Sequence, residues 1–163
     1  APELSVEVAK TDPPSSNEGL SPLNLSDYGD FKEIMVPNRN RSGVDASAMM
    51  DDLSGYVTIT AGKGFRILLR EEPTTLEDIK QELENDLMWS NDVEPHDEHS
   101  IVIERSLPDG SMTNFHFAAV LPGVGSNIVL RSDPMSEFTE KQVKRMLSSA
   151  MTLTSAEGLA LAK

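Results

Sequence analysis

The chain has 163 residues, 38% hydrophobic and 5% aromatic, enough for one domain with a mostly aliphatic core. Its formal charge of −13, from 27 acidic and 14 basic residues, speaks against nucleic acid and anionic bilayers as partners, since both need clustered cations. There is no cysteine, which excludes disulfides, thiol catalysis, thiolate zinc sites and iron–sulfur clusters, and no apolar run approaches the ~20 residues of a membrane-spanning helix.

Residues 1–26, APELSVEVAKTDPPSSNEGLSPLNLS, hold four of the ten prolines and read as a flexible tether, because they bury too little apolar surface to offset the entropy of ordering. Residues 1–30 carry six acids and one lysine, a charge of −5, which leaves −8 for the remainder. The chain starts at Ala1-Pro2 without an apolar signal segment, so two histories fit: removal of an initiator Met before Ala1, or an export signal ending in a lipid-carrying cysteine that precedes this sequence. One α+β domain is expected over 27–153, followed by a tail or frayed helix over 154–163.

FKEIMVP (31–37) predicts a short strand closed by Pro37, and NRNRSG (38–43) a loop with a small basic cluster, Arg39 and Arg41. VDASAMMDDL (44–53) fits either a short helix or an irregular strand. YVTITA (56–61) and FRILLRE (65–71) alternate with Val57, Ile59, Phe65, Ile67 and Leu69 inward, joined by Gly62-Lys63-Gly64 as a hairpin. That G-x-G leads into a strand and not a helix, so it is no nucleotide-binding fingerprint.

A helix is expected over 75–88, with Thr74 or Thr75 opening a capping box and Leu76, Ile79, Leu83 and Leu87 forming its apolar stripe. Trp89 follows as a residue that packs the helix end onto the sheet. Three strands are expected over 100–106, 113–121 and 126–132, with turns at LPDGS (107–111) and PGVG (122–125). A last helix over 136–152 buries Val143, Met146, Leu147 and Ala150 and carries the i,i+4 pairs Glu137–Lys141 and Glu140–Lys144. The order β-ββ-α-βββ-α predicts an antiparallel sheet of about six strands with both helices on one face, an α+β fold.

EPHDEH (94–99) raises the possibility of a metal, with His96, His99, Glu94 and Asp97 as its ligands. In a proline-containing loop this H-x-x-H has no fixed geometry, unlike the i,i+4 pair of a helical H-E-x-x-H, and a hydrated acidic loop is the simpler reading. Pairing Leu107 with Ser111 sets Ile103 opposite Phe115 and Ile101 opposite Phe117. That register puts His116 on the face opposite Ile101 and His99, so the histidines cannot share an ion. Pairing Leu121 with Ser126 likewise sets Ala119 against Ile128 and Phe117 against Leu130. His116 would then line a semi-apolar second face with Met112, Asn114 and Val120; cover by the 38–53 segment is the simpler reading, and left open it is a candidate partner surface where an exposed imidazole would titrate near neutrality. No G-x-S-x-G or P-loop is present, and the acidic pairs Asp51-Asp52 and Glu71-Glu72 flank element ends without forming a placeable catalytic dyad.

LSDYGDFKEIMVP, the strand end TAGKGFRI, the helix LEDIKQELEND, FHF and finally FTEKQVKRML together resemble small bacterial envelope lipoproteins, over residues 24–152. The element order is also similar to the PsbP-like α/β/α sandwich, a likeness of topology alone. The first resemblance implies an export signal, a lipid-modified cysteine just upstream and residues 1–26 as the tether. The resulting expectation is a non-catalytic, surface-tethered envelope domain, monomeric or weakly dimeric. It needs no cofactor and contacts a protein or envelope component through Met112, Asn114, His116, Val120, Arg39 and Arg41. A cytoplasmic acidic inhibitor or immunity-type protein that neutralises a basic enzyme is the alternative, and a metal-dependent hydrolase centred on EPHDEH is the second.

Overall fold

The computed structural model describes residues 19–123 and 125–155. Residues 1–18 of the expected tether, Val124 of the second turn and 156–163 of the expected tail lie outside the described residues. Among the described residues ten strands and three α-helices follow in order: β1 Leu20–Asn24, β2 Phe31–Pro37, α1 Arg39–Ser42, β3 Ser47–Met50, β4 Val57–Thr60, β5 Arg66–Glu72, α2 Leu76–Glu84, β6 Ser90–Asp97, β7 Ser100–Ser106, β8 Asn114–Leu121, β9 Asn127–Ser132, α3 Glu140–Ala150 and β10 Thr154–Ser155. They form two antiparallel sheets, seven strands in the order β3-β4-β5-β9-β8-β7-β6 and three in the order β1-β2-β10.

Alternation builds the main core. Val57, Ile59, Ile67, Leu69, Phe117, Ala119, Leu121, Ile128 and Leu130 point to one face of the large sheet. There they meet Val143, Met146, Leu147 and Ala150 of α3 and Phe31, Ile34 and Val36 of β2. The chain between β5 and β6 crosses the other face. Ile79 of α2 is buried there against Ile101, Ile103, Ala118 and Val129, with Leu76, Leu83, Val93 and Val120 around them. At about 25 cal/mol per Å² of apolar surface, both layers contribute to stability through burial. The two main helices therefore cover opposite faces of the sheet, not one face as the sequence predicted.

One residue explains that difference. The turn at 107–111 forms as expected, with the Leu107 amide donating to the Ser111 carbonyl at 2.9 Å. Met112 then adopts φ 56, a left-handed conformation, and the ladder beyond it pairs Arg105 with Asn114. An extra residue thus sits on the 111–114 side, a bulge that slips the register by one. Ile103 faces His116 and Ile101 faces Ala118, in place of the expected Phe115 and Phe117. In the next hairpin Leu121 pairs with Ile128, and Ala119 with Leu130. That shift of two leaves the faces unchanged.

Other boundaries move as well. Residues 20–24, expected in the tether, pair along β2, and Leu25 is fully buried. Thr154–Ser155, expected in the tail, adds to the far edge of β2. The ambiguous 44–53 segment resolves into the edge strand β3. Residues 38–43 close with the short helix α1, capped by Asn38 and ended by Gly43 at φ 85. The helix expected over 75–88 stops at Glu84, so Leu87 is 99% exposed and not part of a stripe.

Candidate functional site

EPHDEH is not a loop. Glu94–Asp97 lie in β6, the outermost strand of the large sheet, where Pro95 is tolerated because an edge has amides to spare. Glu94 and His96 are exposed. Asp97 Oδ1 accepts from the His99 amide and the Ser100 hydroxyl, both at 2.8 Å, which shapes the turn into β7. Burial works against its ionised form, but the Ser100 and His99 hydrogen bonds and the neighbouring imidazoles hold the Asp97 carboxyl below its usual range. His99 Nε2 lies 3.6 Å from Glu98 Oε1, beyond hydrogen-bond length. Among the described residues no group of three or more His, Asp or Glu is arranged to hold a metal ion.

His116 is placed differently from the sequence expectation. The slipped register sets it on the same face as Ile101 and His99, buried beside the 132–138 segment and not on an open surface. His99 is level with Val120, whose amide donates to its carbonyl, so four residues or about 13 Å of strand separate the two rings. His116 is 5% exposed and Asn114 4%. Nδ1 of His116 lies 2.8 Å from the Ser132 hydroxyl, which also accepts the Phe117 amide at 3.0 Å. The ring meets Phe138 edge-on at 5.7 Å. Burial, reinforced by the Arg105 guanidinium, pushes the imidazole down to about 4, against the weaker pull of Asp133. This histidine is a neutral core residue. Met112 is exposed at the bulge, and Val120 packs beneath α2. The proposed contact face of Met112, Asn114, His116 and Val120 is therefore largely interior.

Arg39 forms a fork with Asp45, both hydrogen bonds at 3.1 Å, in the open. The hydrogen bond first and the opposite charge second hold Asp45 below and Arg39 above their ordinary values. Arg41 turns the other way, toward the start of β1, where a Cβ at Gly19 would meet its Cδ at 3.0 Å.

Arg41 belongs to a basic groove. A hollow of about 410 Å³ is lined by Leu20, Pro37, Arg41, Lys141, Lys144, Arg145 and the Ser148–Ser149 turn of α3. A second, of about 200 Å³, shares Pro37, Arg41 and Arg145 and adds Lys63, Gln142 and the Gly62–Phe65 turn. Three distant segments thus converge: α1, the β4–β5 turn and α3.

Local chemistry fixes this convergence. Thr139 and Gln142 form a capping box, with the Thr139 amide donating to Gln142 Oε1 at 2.9 Å and the Gln142 amide to Thr139 Oγ1 at 3.2 Å. The same Gln142 side chain lies on Gly64, where an added Cβ would meet its Nε2 at 2.5 Å. A side chain here would push Gln142 off its place in the cap, whereas glycine leaves turn and helix in contact and brings Lys63 to the groove. The Arg66 amide donates to Met146 Sδ at 3.4 Å and pins the following strand to the same helix.

Three of the groove's cations carry uncompensated charge among the described residues. Glu140 pairs with Lys144 at 3.4 Å, as the sequence predicted. The expected Glu137–Lys141 pair does not form, because α3 begins at Glu140 behind the Thr139 cap and leaves Glu137 off the helix. Among the described residues Lys63, Lys141 and Arg145 make no ion pair, and Lys141 and Arg145 repel each other at i,i+4. Sequence reading singled out Arg41 and missed Lys63, Lys141, Lys144 and Arg145. The KxxKR spacing on one helix face was the available signal, but nothing local says which face meets β1 and the 62–64 turn.

A scan of known protein families finds no model that matches the chain, and no curated protein or solved structure compared with it matches either.

Proposed function

We propose that the chain is a non-catalytic binding domain, held at a cell-envelope surface by its acidic leader, and that it engages an anionic partner through the basic groove. One observation carries the reading: in a chain of net charge −13, five cations from three separate segments line two neighbouring hollows that share Arg41 and Arg145. At physiological ionic strength charges beyond ~8 Å are largely screened, so the groove's own cations set the field inside it. Crowding like charges costs stability, and a bound anion recovers that cost. The non-catalytic part is supported by the chemistry of the histidines, with His116 sealed beside Phe138 and His96 exposed on an edge strand.

The groove reading is tested by fluorescence anisotropy of a labelled polyglutamate peptide with the intact chain. Saturable binding is expected, weakening as salt rises. A Lys63→Glu, Arg145→Glu double variant should abolish it, and Arg39→Glu, outside the groove, should leave it. Equal binding by all three proteins overturns the site. The tether rests on the composition of residues 1–18 and on the envelope-lipoprotein resemblance. Fractionation of source cells with intact-mass analysis tests it: a lipid-bearing cysteine before Ala1 supports it, and an unmodified Ala1 in the cytosol retires it.

A further inference from the structure

We infer that the ligand of the basic groove is a multiply charged phosphate group, such as a diphosphate or a doubly phosphorylated head, and not a carboxylate. The inference rests on the groove being the contact site and names the chemistry that site selects. Both hollows are lined by Arg41 and Arg145, and Arg145 makes no ion pair among the described residues. Planar guanidinium forks match phosphate oxygens two at a time. Lys63 and the Gln142 amide line the smaller hollow, while Lys141, Lys144 and Ser148 line the larger. A carboxylate offers two oxygens and one charge, too few to reach the cations of both hollows. A phosphomonoester carries about −1.5 to −2 charge and three acceptor oxygens. Two linked phosphates place one such group in each hollow. Leu20 and Pro37 give the larger hollow an apolar wall for whatever the phosphates are attached to. Gly62-Lys63-Gly64 takes part through its lysine and its close seat on Gln142, not as a nucleotide loop, since β5 follows it and no helix does.

The intact chain is melted with increasing sodium pyrophosphate, with ionic strength held constant by chloride. The expected result is a melting temperature that climbs with the logarithm of pyrophosphate, as for a ligand bound by the native state alone, and climbs less with matched sulfate. A Lys63→Gln, Arg145→Gln double variant should lose affinity about tenfold or more, because it removes two charge-assisted contacts. In chloride alone that variant should melt at or above the native chain, since it removes the Lys141–Arg145 repulsion. A marked fall there would make these cations structural and overturn the inference. So would equal stabilisation by sulfate and pyrophosphate.

Sedimentation with vesicles of phosphatidylglycerol and phosphatidylcholine separates the sources of phosphate. No groove-dependent sedimentation is expected, because the chain's overall −13 opposes an anionic bilayer and favours a soluble ligand. Sedimentation lost in the double variant would keep the phosphate chemistry and assign it to a lipid headgroup. Binding to polyglutamate through the groove without a pyrophosphate response would overturn the phosphate inference and leave the binding function standing. Groove-dependent binding to neither would overturn both.

Discussion

Replacing His116 with asparagine should flatten the acid limb of the chain's stability curve. The ring is 5% exposed, hydrogen-bonded through Nδ1 to Ser132, and depressed from 6.5 to about 4 by burial and then by Arg105. A folded value below the unfolded one means that the unfolded chain binds more protons between pH ~4 and ~6.5. Stability therefore falls on acidification through that window and is unaffected above it. At about 1.4 kcal/mol per pH unit, the 6.5-to-4 interval corresponds to an order-of-magnitude loss of ~3 kcal/mol by the lower end. Carboxylates held below their usual values, such as Asp86 and Asp97, also lose stabilisation in acid, but below pH ~4, where they protonate in the unfolded chain first. Urea unfolding of native and His116→Asn chains from pH 4 to 7.5 separates the two. The variant starts lower at pH 7, because it leaves a void beside Phe138, but its curve between pH 4 and 6.5 should be nearly level. Parallel native and variant slopes across that interval would refute the burial argument.

Three further outcomes test the fold that positions the groove. Ile79→Ala should cost about 3 kcal/mol, because Ile79 is fully buried between α2 and the sheet, whereas Leu87→Ala should cost nothing measurable in the same urea titration. Similar losses at both would restore the longer helix that the sequence suggested. Met112→Gly should stabilise the chain by about 1 kcal/mol in thermal unfolding, because φ 56 penalises any side chain; a loss would mean that the bulge is not there. Gly64→Ala should destabilise by about 1 kcal/mol through the clash with Gln142 and the weakened Thr139 cap. In a Gln142→Ala background the same change should be nearly neutral, and a double-mutant cycle without coupling would separate turn from helix.

Much of the layer architecture was legible because period-two alternation is a local signal. Val57, Ile59, Phe65, Ile67 and Leu69 read as one inward face, and they are one. The Val143–Ala150 stripe of α3 was equally plain. What failed was non-local or depended on one dihedral. Met112 carries no sequence mark for a left-handed residue, yet its bulge turned His116 to the face it shares with Ile101 and Ile103. β6 was unreadable because SNDVEPHD is polar with a central proline, a composition that only an edge tolerates. The basic groove was least visible of all. Arg41, Lys63 and Lys141 are far apart in sequence, and only the seating of Gly64 on Gln142 and of β1 on β2 brings them together.

The most direct measurement is an amide chemical-shift map of the intact, isotopically labelled chain as an anionic probe is added. The account predicts saturating shifts confined to residues 37–42, 62–65 and 141–149, reversed by salt and absent in the Lys63→Gln, Arg145→Gln variant. Shifts that fall instead along β6 and the 94–99 turn, or that persist in the variant, would contradict it.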